Sequence, residues 1–246
     1  LTPPPQTTTF SPLEKANKPT FNWPMLIICL IILAAIILLA RPVILRARKD
    51  ADLTEALGKT KQLGLALLEF ETEYGTYPDE KTASVVLENT KTTLNLTGHS
   101  ANSYFRQLLA TDMAQAETMF YCKTAFSKKP DNRYDTPSTA LAPGEVGFGY
   151  LINGKSAFNT KDNPARPLLC APLAYDGKSV SNHRFDPIPF DGSAVILRID
   201  NSVTSLPIDP KTGEPTLKDG KTLLQTGPKT IWGTDTPTII PPLPKP

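Results

Sequence analysis

The longest unbroken apolar stretch in the chain is Met25–Ala40, MLIICLIILAAIILLA, extended by Phe21 and Trp23 before it and by Val43–Leu45 after it. A helix rises about 1.5 Å per residue, so about 20 residues cross a bilayer core. The segment therefore predicts a transmembrane helix over residues 25–45, with Trp23 where an interfacial aromatic belongs. A secretory signal has a shorter apolar region, about 7–15 residues, and a small-residue cleavage site. This run is longer, and it leads directly into a helical pattern. Pro42 predicts a kink, because proline removes one helical hydrogen bond; a break into two helices at Arg41-Pro42 is the alternative.

From Leu53 the apolar positions recur at helical spacing: Leu53, Leu57, Leu63, Leu67, Phe70 and Tyr74, flanked by Ala56 and Ala66. Charged residues from Arg46 to Glu73 fill the other faces, which is the pattern of an amphipathic helix. Gly75 suits a C-terminal cap and Pro78 opposes continuation. One helix over Met25–Tyr74 would be about 75 Å long if continuous.

Farther on, the elements shorten. A short helix is expected around Ala83–Glu88 and another over Ala101–Met113, with Tyr104, Leu108 and Leu109 inward; residues 127–145 read as a loop. Strand patterns follow at Val146–Ile152, Arg166–Leu173, Ser193–Ile199 and Ser202–Ile208, the last two joined by the turn pair Asp200-Asn201 into a hairpin. Strands after a long helix predict an α+β architecture: the amphipathic half packed on a small antiparallel sheet, with Val195, Leu197 and Ile199 against the helix stripe. At the ends, residues 1–24 read as a disordered Pro-rich arm and residues 211–246 as a Pro/Thr-rich tail. Trp232, Ile239 and Ile240 could staple part of that tail to the domain, while the final PPLPKP should be extended and mobile. The folded domain is thus expected over residues 46–210.

The apolar run, followed by ARKDADLTEALGKTKQLGLALLEFETEYGTYP, resembles the start of type IV pilin-like proteins, especially the type II secretion pseudopilins. Ala47, Ala51, Gln62-Leu63, Ala66-Leu67, Phe70 and Tyr74-Gly75-Thr76-Tyr77-Pro78 carry the likeness, and Pro42 falls 21 residues after Phe21, where the family's helix proline would fall if Phe21 were the mature first residue. The resemblance implies a helix that is both membrane anchor and filament core. It also implies an inner-membrane, single-pass protein with its domain periplasmic or in an extracellular filament, and partnership with the membrane and with like or unlike subunits through that helix. Leu26, Ile27, Leu30, Leu33, Ile37 and Pro42 would make the helix contacts. Thr20 stands where the family's processing site has Gly, and Met25 where the family has an acidic residue. By the positive-inside rule, Arg41, Arg46, Arg48 and Lys49 after the span would keep the domain in the cytoplasm, against Lys15 and Lys18 before it; the resemblance implies the opposite side.

Composition narrows the function further. The 246 residues leave room for one or two domains, and opening at Leu1 is what a processed product or a fragment would do. Against 26 Lys+Arg stand 24 Asp+Glu, a net charge of +2, which argues against a nucleic-acid binder. Three Cys and two His are too few for a multi-ligand zinc site. Cys29 reads as a small hydrophobe in the apolar run; Cys122 and Cys170 are either a disulfide pair, if the domain is periplasmic, or two buried free thiols. His99 and His183 lack ligand-spaced partners, and no nucleophile with a base can be assembled. Gly220-Lys221-Thr222 lacks the upstream Gly of a phosphate loop, Pro215 standing in its place. Asp186, Asp191, Asp200, Asn201 and Asp209 read as turn-forming residues matching no calcium-loop spacing. The expectation is a structural subunit or accessory protein of a pseudopilus, type IV filament-like or secretion assembly, with no catalytic residues, cofactor, metal or small-molecule substrate. The alternative is an anchored binding or scaffolding domain that does not polymerise.

Overall fold

The computed structural model of the chain describes residues 23–246. Up to residue 22 the expected Pro-rich arm lies outside the described residues. Trp23 and Pro24, which the sequence reading placed in that arm, instead open helix α1, Trp23–Tyr74, of 52 residues. Proline fits there because a first-turn N–H has no intrahelical acceptor to lose. Pro42 lies within α1, so the helix is assigned as one element and not two. By contact density the chain divides at Ile44/Leu45.

In the first unit the described residues are all helical, and their large apolar side chains are exposed. The second unit, Leu45–Pro246, is an α+β fold containing the rest of α1, two further helices and two antiparallel sheets. Helix α2, Glu80–Thr90, starts where it does because the Asp79 carboxylate accepts from the N–H groups of Lys81 and Thr82. The Thr82 hydroxyl oxygen in turn accepts from the Asp79 N–H at 2.8 Å. Ser100 caps α3, Ala101–Ala110, its hydroxyl accepting from the Ser103 N–H. The end of α1 is set by Gly75 in the left-handed region (φ +80°), whose N–H reaches Glu71 O at 2.7 Å.

The strands are β1 (Gly149–Asn153), β2 (Pro167–Ala171), β3 (Leu173–Tyr175), β4 (Val180–Phe185), β5 (Ser193–Arg198), β6 (Val203–Pro207) and β7 (Pro237–Ile240). Five of them form a sheet in the order β6-β5-β2-β1-β7, while β3 and β4 form a separate ribbon. The anticipated hairpin is β5–β6, in register Leu197↔Val203 around Asn201 at φ 61°. Strands β3 and β4 were not expected, because the exposed residues Asn182, His183 and Arg184 break the apolar pattern.

The tail departs most from expectation. Residues 211–246 belong to the second unit, and β7 pairs with β1 from Asn153↔Pro237 to Tyr150↔Ile240. The final segment is extended but pinned: Ala101 N–H donates to Pro241 O, Gly144 N–H to Leu243 O, Leu243 N–H to Asn102 Oδ1, and Lys245 N–H to Phe126 O. Prolines do not prevent this, since an edge strand needs only one side of its backbone to pair. Trp232 is buried, its indole N–H donating to Leu223 O at 2.8 Å, and the Arg166 guanidinium holds Ile231 O, Trp232 O and the Asp235 carboxylate.

Two features hold the core. The α1 stripe of Ala56, Leu63, Ala66, Leu67 and Phe70 is buried, with Leu53, Leu57 and Tyr74 partly so. On the sheet, Val195, Leu197 and Ile199 are buried as expected, and Leu197 packs on the helix at Gly64. Helix α3 was expected to bury one face, yet Ala101 to Leu109 are all buried. Its polar side chains act as anchors for surrounding chain. Arg106 donates to Ala140 O, Asn95 O and Leu141 O; Asn102 donates to Leu141 O; Gln107 donates to Asp79 O and accepts from Thr82 Oγ1. Buried polar groups are tolerated only when paired like this.

The helix–sheet approach is closest at Gly64. A Cβ built there would lie 2.2 Å from Asn201 Oδ1 and 2.9 Å from Leu197 Cδ1, whereas at Gly58 nothing comes within 4 Å. Alanine in a helix interior gains up to about 1 kcal/mol over glycine, and overpacking a core costs about 1–3 kcal/mol. Gly58→Ala is therefore expected to raise the denaturant midpoint and Gly64→Ala to lower it, a gap of about 1–3 kcal/mol between the two variants by chemical unfolding.

Candidate functional site

The largest surface feature of the first unit is apolar. Leu26, Ile27, Leu30, Leu33 and Ile37, the residues expected to make helix contacts, are all exposed, from 39% to 55%. Pro42 lies on the same helix. Ile28, Ile31, Ile32, Ile36, Leu38 and Leu39 are exposed as well, so the apolar surface runs around the helix and is not confined to one stripe. Within α1 lies a window long and apolar enough to cross a membrane, and none of that window is buried in the chain. Isolated exposed apolar side chains are ordinary, but a contiguous surface of this kind marks contact with lipid or with another protein. Backbone polar groups are no obstacle, since a helix satisfies them internally.

In the second unit, the residues nearest in sequence to this segment form a basic and partly apolar groove. Leu45, Arg48, Lys49, Lys123 and Ile188 line a cleft of about 390 Å³, with Asp52 and Asp186. Lys49 pairs with Asp191 at 3.4 Å and Lys123 with Asp52 at 2.8 Å. Such exposed pairs contribute little to stability.

The residues weighed for chemistry in the sequence are dispersed and locally engaged. His99 meets Glu80 at the surface, and the His183 ring meets its neighbour Asn182. Lys221 of the Gly-Lys-Thr segment is held by Asp219 and by Lys229 O. The aspartates near the end of the sheet serve turns: Asp186 accepts from Ile188 N–H, Asp200 from Ser202 N–H, and Asp209 from Lys211 N–H. A grouping the sequence did not bring out lies elsewhere, where Glu117, Asp131 and Glu145 converge. No motif could have announced it, because each residue arrives from a different loop segment.

In this structure Cys122 and Cys170 are both buried and free. Both stand against glycines on the approach to and start of β1. Cys170 is opposite Gly149 in the β1–β2 register, and Cys122 occupies the space beside Gly147, where a Cβ would come within 2.6 Å of its Sγ and its backbone. Burial pushes both thiols far above the usual thiol range; for Cys122, Lys59 opposes the rise and Cys170 adds to it. Thiolate is the reactive form, so both thiols are chemically quiet in the folded state. Cys29 is exposed in the first unit.

Compared with known protein families, curated proteins and solved structures, the chain matches none.

In detergent-solubilised protein, Cys122 and Cys170 are expected to resist a water-soluble maleimide and to react fully after guanidinium unfolding. Peptide mapping by mass spectrometry reads the sites; labelling of either in the folded protein, or a linked pair that reacts only after reduction, would contradict the burial of two free thiols.

Proposed function

We propose that the chain is a structural subunit or accessory protein of a pilin-like assembly: a pseudopilus, a type IV filament or a related secretion machine. It would be anchored in an inner membrane by one span, with the α+β unit on the periplasmic side or displayed on an extracellular filament. The observation that carries this reading is the division of labour along α1. The helix has an exposed apolar segment from Trp23 and, after Leu45, a single stripe buried against an antiparallel sheet. A helix built this way offers lipid or neighbouring helices its first part while its second part belongs to a self-contained domain. Lateral packing of Leu26, Ile27, Leu30, Leu33 and Ile37 with the same region of other subunits would form the filament core. Inside a membrane such packing rests on close van der Waals fit and not on a hydrophobic driving force.

A second reading, an anchored domain that does not polymerise, is favoured by Met25. An acidic side chain at that position would need a partner in lipid, and a neighbouring subunit's terminal amine could supply it. Methionine creates no such demand.

Intact mass and N-terminal sequencing of the protein extracted from its native membrane, together with pelleting of mechanically sheared filaments, separate the two. Filament membership predicts a chain beginning at Phe21 and recovery in the sheared pellet. A chain that retains residues 1–20 and stays with the membrane after shearing would contradict it and favour the anchored domain.

A further inference from the structure

Three carboxylates from well-separated parts of the chain meet between α3 and β1. Glu117 lies in a 3-10 turn, Glu117–Phe120, Asp131 in the loop that follows, and Glu145 in the turn leading to β1. Each offers an oxygen within 4.8 Å of the others. Glu117 and Glu145 are buried, at 0% and 2% exposure, and Asp131 faces solvent.

One oxygen of each residue is already occupied. Leu141 N–H donates to Glu117 Oε1 at 2.6 Å, Ala142 N–H to Glu145 Oε2 at 2.8 Å, and Arg133 N–H to Asp131 Oδ1 at 2.9 Å. Lys128 Nζ stands 3.5 Å from Glu145 Oε1. Glu117 Oε2 is buried with no hydrogen-bond partner. Arg106 lies close enough to feel the Glu117 charge, while three of its five N–H donors bond the carbonyls of Ala140, Asn95 and Leu141. A buried carboxylate oxygen without a partner is costly, and two more carboxylates beside it raise that cost. Burial pushes the Glu117 carboxyl upward; the Leu141 and Arg133 N–H groups oppose this, and the charges of Glu145 and Asp131 push the same way.

We infer that Glu117, Asp131 and Glu145 form a calcium-binding site. The donors are all hard oxygens, which suit calcium, magnesium or manganese and not zinc. Calcium binds oxygens at about 2.3–2.6 Å, so two ligands of one ion lie at most about 5 Å apart, which the three carboxylates satisfy. Magnesium demands near-ideal octahedral ligands and dehydrates reluctantly. Three side chains from three loop segments, open to water on the Asp131 side, fit the flexible shell of calcium better. The ion would tie the 3-10 turn, the loop at Asp131 and the turn before β1 to one point. This site is separate from the turn-forming aspartates near the sheet end, and it does not rest on the assembly reading.

The test is calorimetric titration and thermal melting of the full chain in detergent micelles, with calcium chloride against EGTA and with magnesium chloride for comparison. The site predicts saturable calcium binding with a dissociation constant of about 10⁻⁴–10⁻³ M, the weak end of the range for protein calcium sites. It also predicts a melting temperature that rises with free calcium. Asp131→Asn, on the exposed ligand, is expected to leave the fold intact and to weaken calcium binding at least about tenfold, the cost typical of disturbing a metal's supporting groups. Glu117→Gln is expected to abolish the response. Absence of calcium heat and of any melting shift at millimolar calcium would overturn the inference. So would a response that Asp131→Asn leaves unchanged, since the ion would then sit elsewhere.

Discussion

An apolar helix surface that lies exposed among the described residues constrains everything else in this protein. From Trp23 to Ile44 the exposed side chains are almost all aliphatic. Two consequences follow. The segment needs a solvent other than water, either lipid or the equivalent segments of other subunits. The unit from Leu45 onward must then be stable on its own core, and its construction reflects that. The same helix that is apolar on all sides in its first part narrows to one buried stripe in its second, with charged residues on the remaining faces.

Stability in the folded unit comes from two kinds of contact that differ in how they act. The α1–sheet contact is one of shape: the absence of a side chain at Gly64 lets Leu197 and Asn201 approach the helix backbone. The α3 contact is one of polarity. A helix buried on all sides carries Arg106, Asn102 and Gln107 into the interior, and each is paired with the backbone of a loop that would otherwise have little to hold it. Those loops are long because much of the chain between α3 and β1 has no regular structure, apart from one 3-10 turn. Fixing them with side chains from a central helix replaces the ladder hydrogen bonds that they lack. Arg166 does the same for the segment before β7.

What could be read from the sequence followed from periodicity. The apolar run, the stripe from Leu53 to Tyr74 and the β5–β6 hairpin are each specified by residues near one another in the chain, and each was legible. What could not be read depends on distant partners. Strand β7 is short and begins at a proline, and it becomes a strand only because β1 offers it an edge. PPLPKP looks like a free end by composition, yet Phe126, Asn102 and Gly144 supply its hydrogen bonds from far away in the chain. Helix α3 reads as amphipathic because its polar residues would normally face water; here they face backbone carbonyls. The carboxylates of Glu117, Asp131 and Glu145 belong to no spacing rule, since three loop segments bring them together. The resemblance to pilin-like proteins rests on about a quarter of the chain, residues 21–80.

If α1 anchors the proposed subunit, residues 25–45 lie in hydrocarbon. Cys29 sits within that segment, and the other two cysteines are buried in the folded unit, so a spin label can be placed at Cys29 alone in detergent. After reconstitution into lipid vesicles, the collision rates of that label with molecular oxygen and with a water-soluble nickel complex can be compared. A lipid-embedded helix predicts high access for oxygen, which concentrates in the bilayer, and low access for nickel. Ready access for nickel would place the segment in water or at the membrane surface, and the account of an anchored helix would fail.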